Sequence, residues 1–269
     1  MCMEGMIMKN KKLRFVISSL VSGLGFYMFL SLPIESRYYG LLVGMVLVVI
    51  SFWFGLGIFF EKNFNTRIMT VLLPILFFIG FGLFSVLLAG NFWLNLGLSL
   101  FFSLVAYLIF ITENIFLVAI GFKTVPLYRA AYTMSLIITL FSAFFLFSSL
   151  SSFNLIYWMN MLVVFGLSAM IFWYQFWSIA IELPDDGKEK NRWAYVLVPS
   201  WLLSQLALVY SFWPVGLFRG SIYLVAMIYV ISGLYQADLR ERLFKRTWLT
   251  FIWIGIAVIL GTVILTRWI

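Results

Sequence analysis

The residues that could carry chemistry in this sequence are a small number of carboxylates, because the chain has no histidine and a single cysteine, Cys2. This composition excludes an internal disulfide, a Cys/His metal cluster and any histidine-based acid–base mechanism. We therefore predict no catalytic residue, no bound metal and no cofactor. The carboxylates that remain of interest are Glu35, Glu113 and the pair Asp185 and Asp186.

Glu113 is the most interesting carboxylate, because long apolar runs lie on both sides of it. Asn114 follows it directly, and the second run ends at Lys123. Three placements are open: a helix that ends just before Glu113, a long tilted helix that runs to Phe122, or a helix followed by an interfacial or re-entrant segment. In the long helix, Glu113 is an intramembrane ionisable residue and a functional candidate. We favour an interfacial carboxylate paired with Lys123 or Arg129, which can remain charged.

A second group of candidates lies on the opposite side of the membrane. Glu35 and Arg37 share the first connecting loop, and Arg219 begins the eighth apolar run on the same side. Glycosyltransferases that use lipid-linked sugars keep their base at an acidic residue in the first outer loop, which gives an outer-face enzyme using Glu35 as a third hypothesis. The short outer loops of this chain argue against it, because such enzymes usually hold their substrates in longer ones.

The adjacent carboxylates Asp185 and Asp186 are a possible magnesium site, since such a pair can hold Mg²⁺ against a substrate phosphate. Membrane transferases of this type need several aspartates spread over helical turns. Here the pair lies between Pro184 and Gly187 in a charged segment. We predict a solvated turn.

The elements that must position these residues are transmembrane helices. The mean hydropathy is +1.07, and only 10% of residues are charged, against about a quarter in soluble proteins. A helix needs about 20 residues to cross the bilayer, so we predict an all-α bundle in one integral membrane domain, residues 1–269. The predicted spans are 15–33, 39–60, 68–90, 92–112, 127–150, 153–181, 193–212, 215–236 and 247–266.

The distribution of basic residues predicts the orientation of this bundle. Of the 18 Lys and Arg residues, all but Arg37, Arg219 and Arg267 lie at the N-terminus or in the even-numbered connections. Because cytoplasmic loops are enriched in Lys and Arg, the N-terminus is predicted inside and the C-terminus outside. The net charge of +8 then indicates contact with the anionic headgroups of the cytoplasmic leaflet rather than with nucleic acid.

Two glycine pairs are predicted to mark close contacts between helices. Gly40 and Gly44, and separately Gly216 and Gly220, have the four-residue spacing that places small residues on one helix face. Such faces let neighbouring helices approach closely in membranes.

Residues 112–131 resemble a stretch found in uncharacterised bacterial polytopic membrane proteins. The resemblance implies a bacterial inner-membrane protein and draws attention to Glu113, Asn114 and Arg129, but it implies no activity. Our first hypothesis is a non-enzymatic structural or assembly component, with unknown protein partners. The alternative is a small-molecule or lipid transporter that uses Glu113, since an ionisable residue within a span is a candidate for such a role.

Overall fold

The computed structural model describes residues 2–57, 63–88, 90–121, 126–182, 192–213, 216–239 and 245–265, and the regular structure in these ranges is helical. The all-α prediction is therefore confirmed. The helices are α1 (Cys2–Ser31), α2 (Arg37–Leu56), α3 (Phe64–Val86), α4 (Phe92–Gly121), α5 (Tyr128–Ser152), α6 (Tyr157–Ala180), α7 (Arg192–Phe212), α8 (Leu217–Leu239) and α9 (Lys245–Leu265). A short 3-10 turn, Ile34–Ser36, joins α1 to α2.

Eight of these helices, α1 to α8, are long and apolar enough to cross a membrane. In α9 the apolar stretch is shorter, Trp248–Ile264. Long apolar helices are the expected solution in a bilayer, because a helix satisfies its backbone hydrogen bonds internally.

Two helix bounds differ most from those predicted. The helix α1 already begins at Cys2, well before residue 15. The helix α4 has 30 residues and continues to Gly121, where the predicted span ended at 112. Glutamate is a good helix former, and a single asparagine costs little, so Glu113 and Asn114 do not stop the helix.

The helices form two compact units, residues 1–138 and 139–269. The boundary between the units falls within α5. The prediction of a single membrane domain stays a prediction. Each unit is described by itself below.

The first unit is built around phenylalanine rings from three helices. In it α1 packs against α4 and α2, and α2 packs against α3. Phe26 of α1 is 0% exposed and stacks on Phe102 of α4 with ring centroids 4.6 Å apart. From α3, Phe81 stacks on Phe26 at 5.2 Å, and Phe78 meets it edge-on at 5.9 Å. The hydrophobic core of this unit is therefore an aromatic cluster.

Glycines let the helices of the first unit approach each other closely. A Cβ atom on Gly44 would overlap the Phe78 ring, and one on Gly55 would overlap the Phe110 ring. A Cβ on Gly40 would overlap Leu32, which directly follows α1. The predicted packing role of Gly40 and Gly44 is confirmed.

In the second unit α6 packs against α7, and α8 packs against both α7 and α9. A Cβ on Gly233 of α8 would overlap the Phe251 ring of α9. Between the same two helices, the Tyr223 hydroxyl donates a hydrogen bond to the Gly261 carbonyl at 3.2 Å. The packing of α8 on α9 thus combines close approach with a polar contact.

Many hydroxyl groups of the described helices bond to carbonyl groups of their own helix. Ser22 donates to the Ser18 carbonyl at 2.9 Å, Thr70 to Thr66 at 2.7 Å, and further examples are Ser149, Ser200 and Ser211. Such bonds one turn back along the helix are a common solution for Ser and Thr. Two hydroxyls of α4 instead reach α1: Ser99 donates to the Gly23 carbonyl at 2.7 Å and Ser103 to the Ser19 carbonyl at 3.1 Å.

Candidate functional site

A cavity of about 360 Å³ lies at one end of the second unit. The residues around it come from the ends of α5 and α7 and from the starts of α6 and α8. A volume of this order is in the range of small-molecule sites, roughly 300–1,000 Å³. The cavity is therefore large enough to hold a ligand group.

The cavity has a mixed lining of uncharged polar and apolar side chains. Its polar groups are on Ser151, Asn154, Asn160, Tyr210, Ser211 and Trp213. Its apolar side chains include Phe147, Leu150, Leu155, Val164 and Leu224. None of the described lining residues carries a formal charge. The lining can exchange hydrogen bonds with a ligand, but it offers no nucleophile with an adjacent base.

A short chain of hydrogen bonds orders the polar side of the cavity. Asn160 Nδ2 of α6 donates to Ser211 Oγ of α7 at 2.9 Å. Ser211 Oγ in turn donates to the Ala207 carbonyl one turn back at 2.9 Å. The bond to Ser211 thus orients the side-chain amide of Asn160. The same amide has a second hydrogen and an acceptor oxygen, which can bond to a ligand.

Gly216 and Gly220 line this cavity, and their predicted role in close helix packing is wrong. A Cβ atom built at either position meets no atom of the described residues within 4 Å. Gly216 also has φ +76°, a left-handed conformation that favours glycine. The two glycines leave open space at the start of α8 instead of admitting a neighbouring helix.

Glu113 lies in the interior of the first unit and is 0% exposed. It is part of the continuous helix α4, as in the long-helix placement. One turn further along α4, the Phe116 ring contacts the Tyr128 ring at 5.7 Å, next to Arg129 at the start of α5. Asn114 is half-buried and Arg129 is exposed. The structure therefore brings the helical turn after Glu113 close to the start of α5.

The candidates that were predicted for the outer face lie in both units and are described separately. Glu35 is exposed in the 3-10 turn. Arg37 Nε donates to the Leu32 carbonyl at 3.1 Å, which fixes it to the end of the preceding helix. Arg219 is exposed in the first turn of α8 and belongs to the second unit. Asp185 and Asp186 lie outside the described residues.

One polar contact was missed by the sequence analysis. The Tyr195 hydroxyl of α7 donates a hydrogen bond to Asp238 Oδ2 of α8. The Tyr235 ring meets the Tyr195 ring edge-on at 4.9 Å. Asp238 follows Tyr235 by three residues, so the two share a helix face. The three-residue spacing between Tyr235 and Asp238 was a sequence signal that could have indicated a polar contact for Asp238, in contrast to the basic residues that follow it.

The described part of the chain holds no group of three or more His, Cys, Asp or Glu residues placed to bind a metal ion. Eight helices of this part of the chain are long and apolar enough to cross a membrane, and they make the chain a multi-pass membrane protein.

The chain belongs to the family described as "Protein of unknown function (DUF5656)", whose model matches residues 61–265. The matched region covers α3 to α9 and both the cavity and Glu113. It also contains the stretch 112–131, so the resemblance to an uncharacterised membrane protein family is confirmed. No curated protein and no solved structure matches the chain.

Proposed function

We propose that this protein is a non-enzymatic structural or assembly component of the bacterial inner membrane. The observation that carries the proposal is the complete burial of Glu113 in the core of the first unit. A carboxyl group that exchanges protons or substrate needs access to water, and Glu113 has no exposed surface. The burial of Glu113 favours the role of a structural anchor.

The length of α4 supports an anchor near the inner boundary of the bilayer. At 1.5 Å per residue, Glu113 lies about 31 Å along the helix axis from Phe92, which is close to the thickness of the hydrocarbon core. Trp93, at the start of α4, is 79% exposed, as expected for a ring at the headgroup level. An upright α4 that starts at one boundary therefore brings Glu113 to the other, where the start of α5 can supply polar groups.

Replacing Glu113 with glutamine tests the structural role. We expect Glu113→Gln to lower the free energy of unfolding by about 3 kcal/mol, because changing a fully buried polar side chain leaves buried hydrogen-bonding groups unsatisfied. The measurement is thermal unfolding of the purified protein in detergent, followed by tryptophan fluorescence. Glu35→Gln is the matched control, since Glu35 is exposed and its loss should change stability by less than about 0.5 kcal/mol.

The second candidate is a proton-coupled transporter, which the position of an ionisable residue inside a membrane helix favours. It predicts the opposite result for the same variant. Glu113→Gln would then melt like the wild type but lose a pH-driven proton flux into liposomes that contain a pH-sensitive dye. That pair of results would contradict the structural proposal.

We further propose that the membrane orientation has the N-terminus in the cytoplasm, nine spans and the C-terminus outside. The asymmetric distribution of Lys and Arg supports it. Fusions of a fluorescent protein that matures only in the cytoplasm should be bright after Arg192 and after Arg246. Alkaline phosphatase, which is active only outside, should be active after Trp268. A cytoplasmic reporter signal after Trp268 would contradict the crossing of α9.

A further inference from the structure

The cavity of the second unit is formed where four consecutive helices end or begin. The helices α5 and α7 end there, and α6 and α8 start there. Successive spans run in opposite directions, so these four helix ends lie at the same face of the membrane. At that face we expect headgroups to meet hydrocarbon, and the exposed lining residues Asn154, Ser211 and Gly216 leave the cavity open to its surroundings.

The open space in this cavity depends on residues without side chains. Gly216 directly precedes α8 and Gly220 lies in its first turn, and a Cβ atom at either meets nothing within 4 Å among the described residues. At Gly44 and Gly233 the space in front of the glycine is filled by an aromatic ring, whereas Gly97 and Gly166 also face open space but do not line the cavity. In the described residues, the start of α8 thus keeps a volume free that helix packing does not use.

The lining offers no charged partner to a ligand, because none of the described lining residues has a charged side chain. Hydroxyl and amide groups both donate and accept hydrogen bonds. They therefore fit a ligand that also has both kinds of group, such as a sugar or another polyol.

The arrangement of polar and apolar groups fits the two kinds of surface of such a ligand. Asn160 has a second amide hydrogen and an acceptor oxygen beyond its bond to Ser211. The aromatic side chains of Tyr210 and Trp213 have an apolar face and a polar edge, which can cover the C–H face of a sugar ring. Phe147 and Leu150 extend the apolar surface of the cavity, where the start of an acyl chain can lie.

We propose that this cavity is a binding site for an uncharged, hydroxyl-rich group. The group is the sugar headgroup of a neutral glycolipid or a free sugar of the same chemistry. This site goes beyond the proposed structural role, and its test does not depend on membrane orientation, because both faces of a nanodisc are open to solution.

The test compares stabilisation of the full-length protein in nanodiscs of defined composition. One set contains phosphatidylcholine alone, a second adds monoglucosyl diacylglycerol, and a third adds the same fraction of phosphatidylglycerol. Methyl glucoside is titrated separately as the free sugar. We expect the glucolipid to raise the melting temperature of the wild type and phosphatidylglycerol to leave it unchanged. An increase with methyl glucoside would support the same site and identify a soluble sugar as its source.

Two variants assign the effect to the cavity. Gly220→Leu fills the open space and should abolish the glucolipid-dependent increase. Asn160→Ala leaves the helix intact and should weaken glucolipid binding, measured by titration, about tenfold through loss of its hydrogen bonds. Gly166→Leu is the matched control: Gly166 also has nothing within 4 Å of a built Cβ among the described residues, but it does not line the cavity.

The proposal is supported if glucolipid or methyl glucoside stabilises the wild type and Gly166→Leu, but not Gly220→Leu. If Gly220→Leu fails to fold, the proposal is tested by Asn160→Ala alone: a tenfold weakening of glucolipid binding supports it, and unchanged binding contradicts it. Equal stabilisation of the wild type and the folded cavity variants would overturn the proposal. So would stabilisation by phosphatidylglycerol alone, or by none of the probes.

Discussion

Gly44→Leu should lower the free energy of unfolding by about 3 kcal/mol, because an overfilled contact between packed helices forces the backbone or the neighbouring side chains to move. A Cβ at this position would already overlap the Phe78 ring. Phe78 is itself 0% exposed and stands edge-on to Phe26, so the ring has no free space into which it can retreat. The measurement is thermal unfolding in detergent.

The matched control for this variant is Gly97→Leu in α4 of the same unit. A Cβ on Gly97 meets nothing within 4 Å among the described residues, so leucine there should change stability by less than about 0.5 kcal/mol. If both variants melt at the wild-type temperature, close approach at Gly44 does not contribute to stability, and the packing of α2 on α3 must be reconsidered.

Phe26→Ala is expected to be the most damaging single substitution in the first unit, at about 4 kcal/mol. The Phe26 ring contacts Phe102, Phe81 and Phe78 at centroid distances of 4.6, 5.2 and 5.9 Å. In a bilayer, helices associate through van der Waals packing, since the lipid chains are themselves apolar. Removing the ring leaves a cavity at the meeting point of α1, α3 and α4, and the contacts of all three are lost together.

Phe54→Ala provides the comparison for this prediction. Phe54 of α2 is 68% exposed, so its ring has few protein contacts to lose, and a change of less than about 0.5 kcal/mol is expected. Unfolding of the two variants by heat or by a denaturing detergent measures the difference. A Phe26→Ala protein as stable as Phe54→Ala would show that the aromatic cluster is not the core of this unit.

The helices could be predicted from the sequence because a bilayer permits few alternatives. An apolar run of about 20 residues has to be helical to satisfy its backbone there, and α2, α3 and α5 to α8 accordingly lie close to their predicted bounds. The end of α4 was misplaced because a charged residue was taken as the end of a span. Charge marks where hydrocarbon gives way to water, but it does not stop a helix.

The cavity could not be predicted, and the two glycine pairs explain why. Gly40 and Gly44 have the same spacing as Gly216 and Gly220, but the first pair contacts Leu32 and Phe78, and the second faces open space. Spacing along a helix determines which residues share a face. The side chains opposite that face come from other helices, which the local pattern does not specify.

The bonds between hydroxyl groups and carbonyl groups of the same helix affect how the protein is made. Ser22, Thr70, Ser149 and Ser200 have partners within their own helices, so these hydroxyls are already satisfied when a single helix leaves the translocon. The hydroxyls of Ser99 and Ser103 bond instead to α1, so they are satisfied after two helices have met. Because α1 is synthesised before α4, the partner of these two hydroxyls is already in the membrane when α4 arrives.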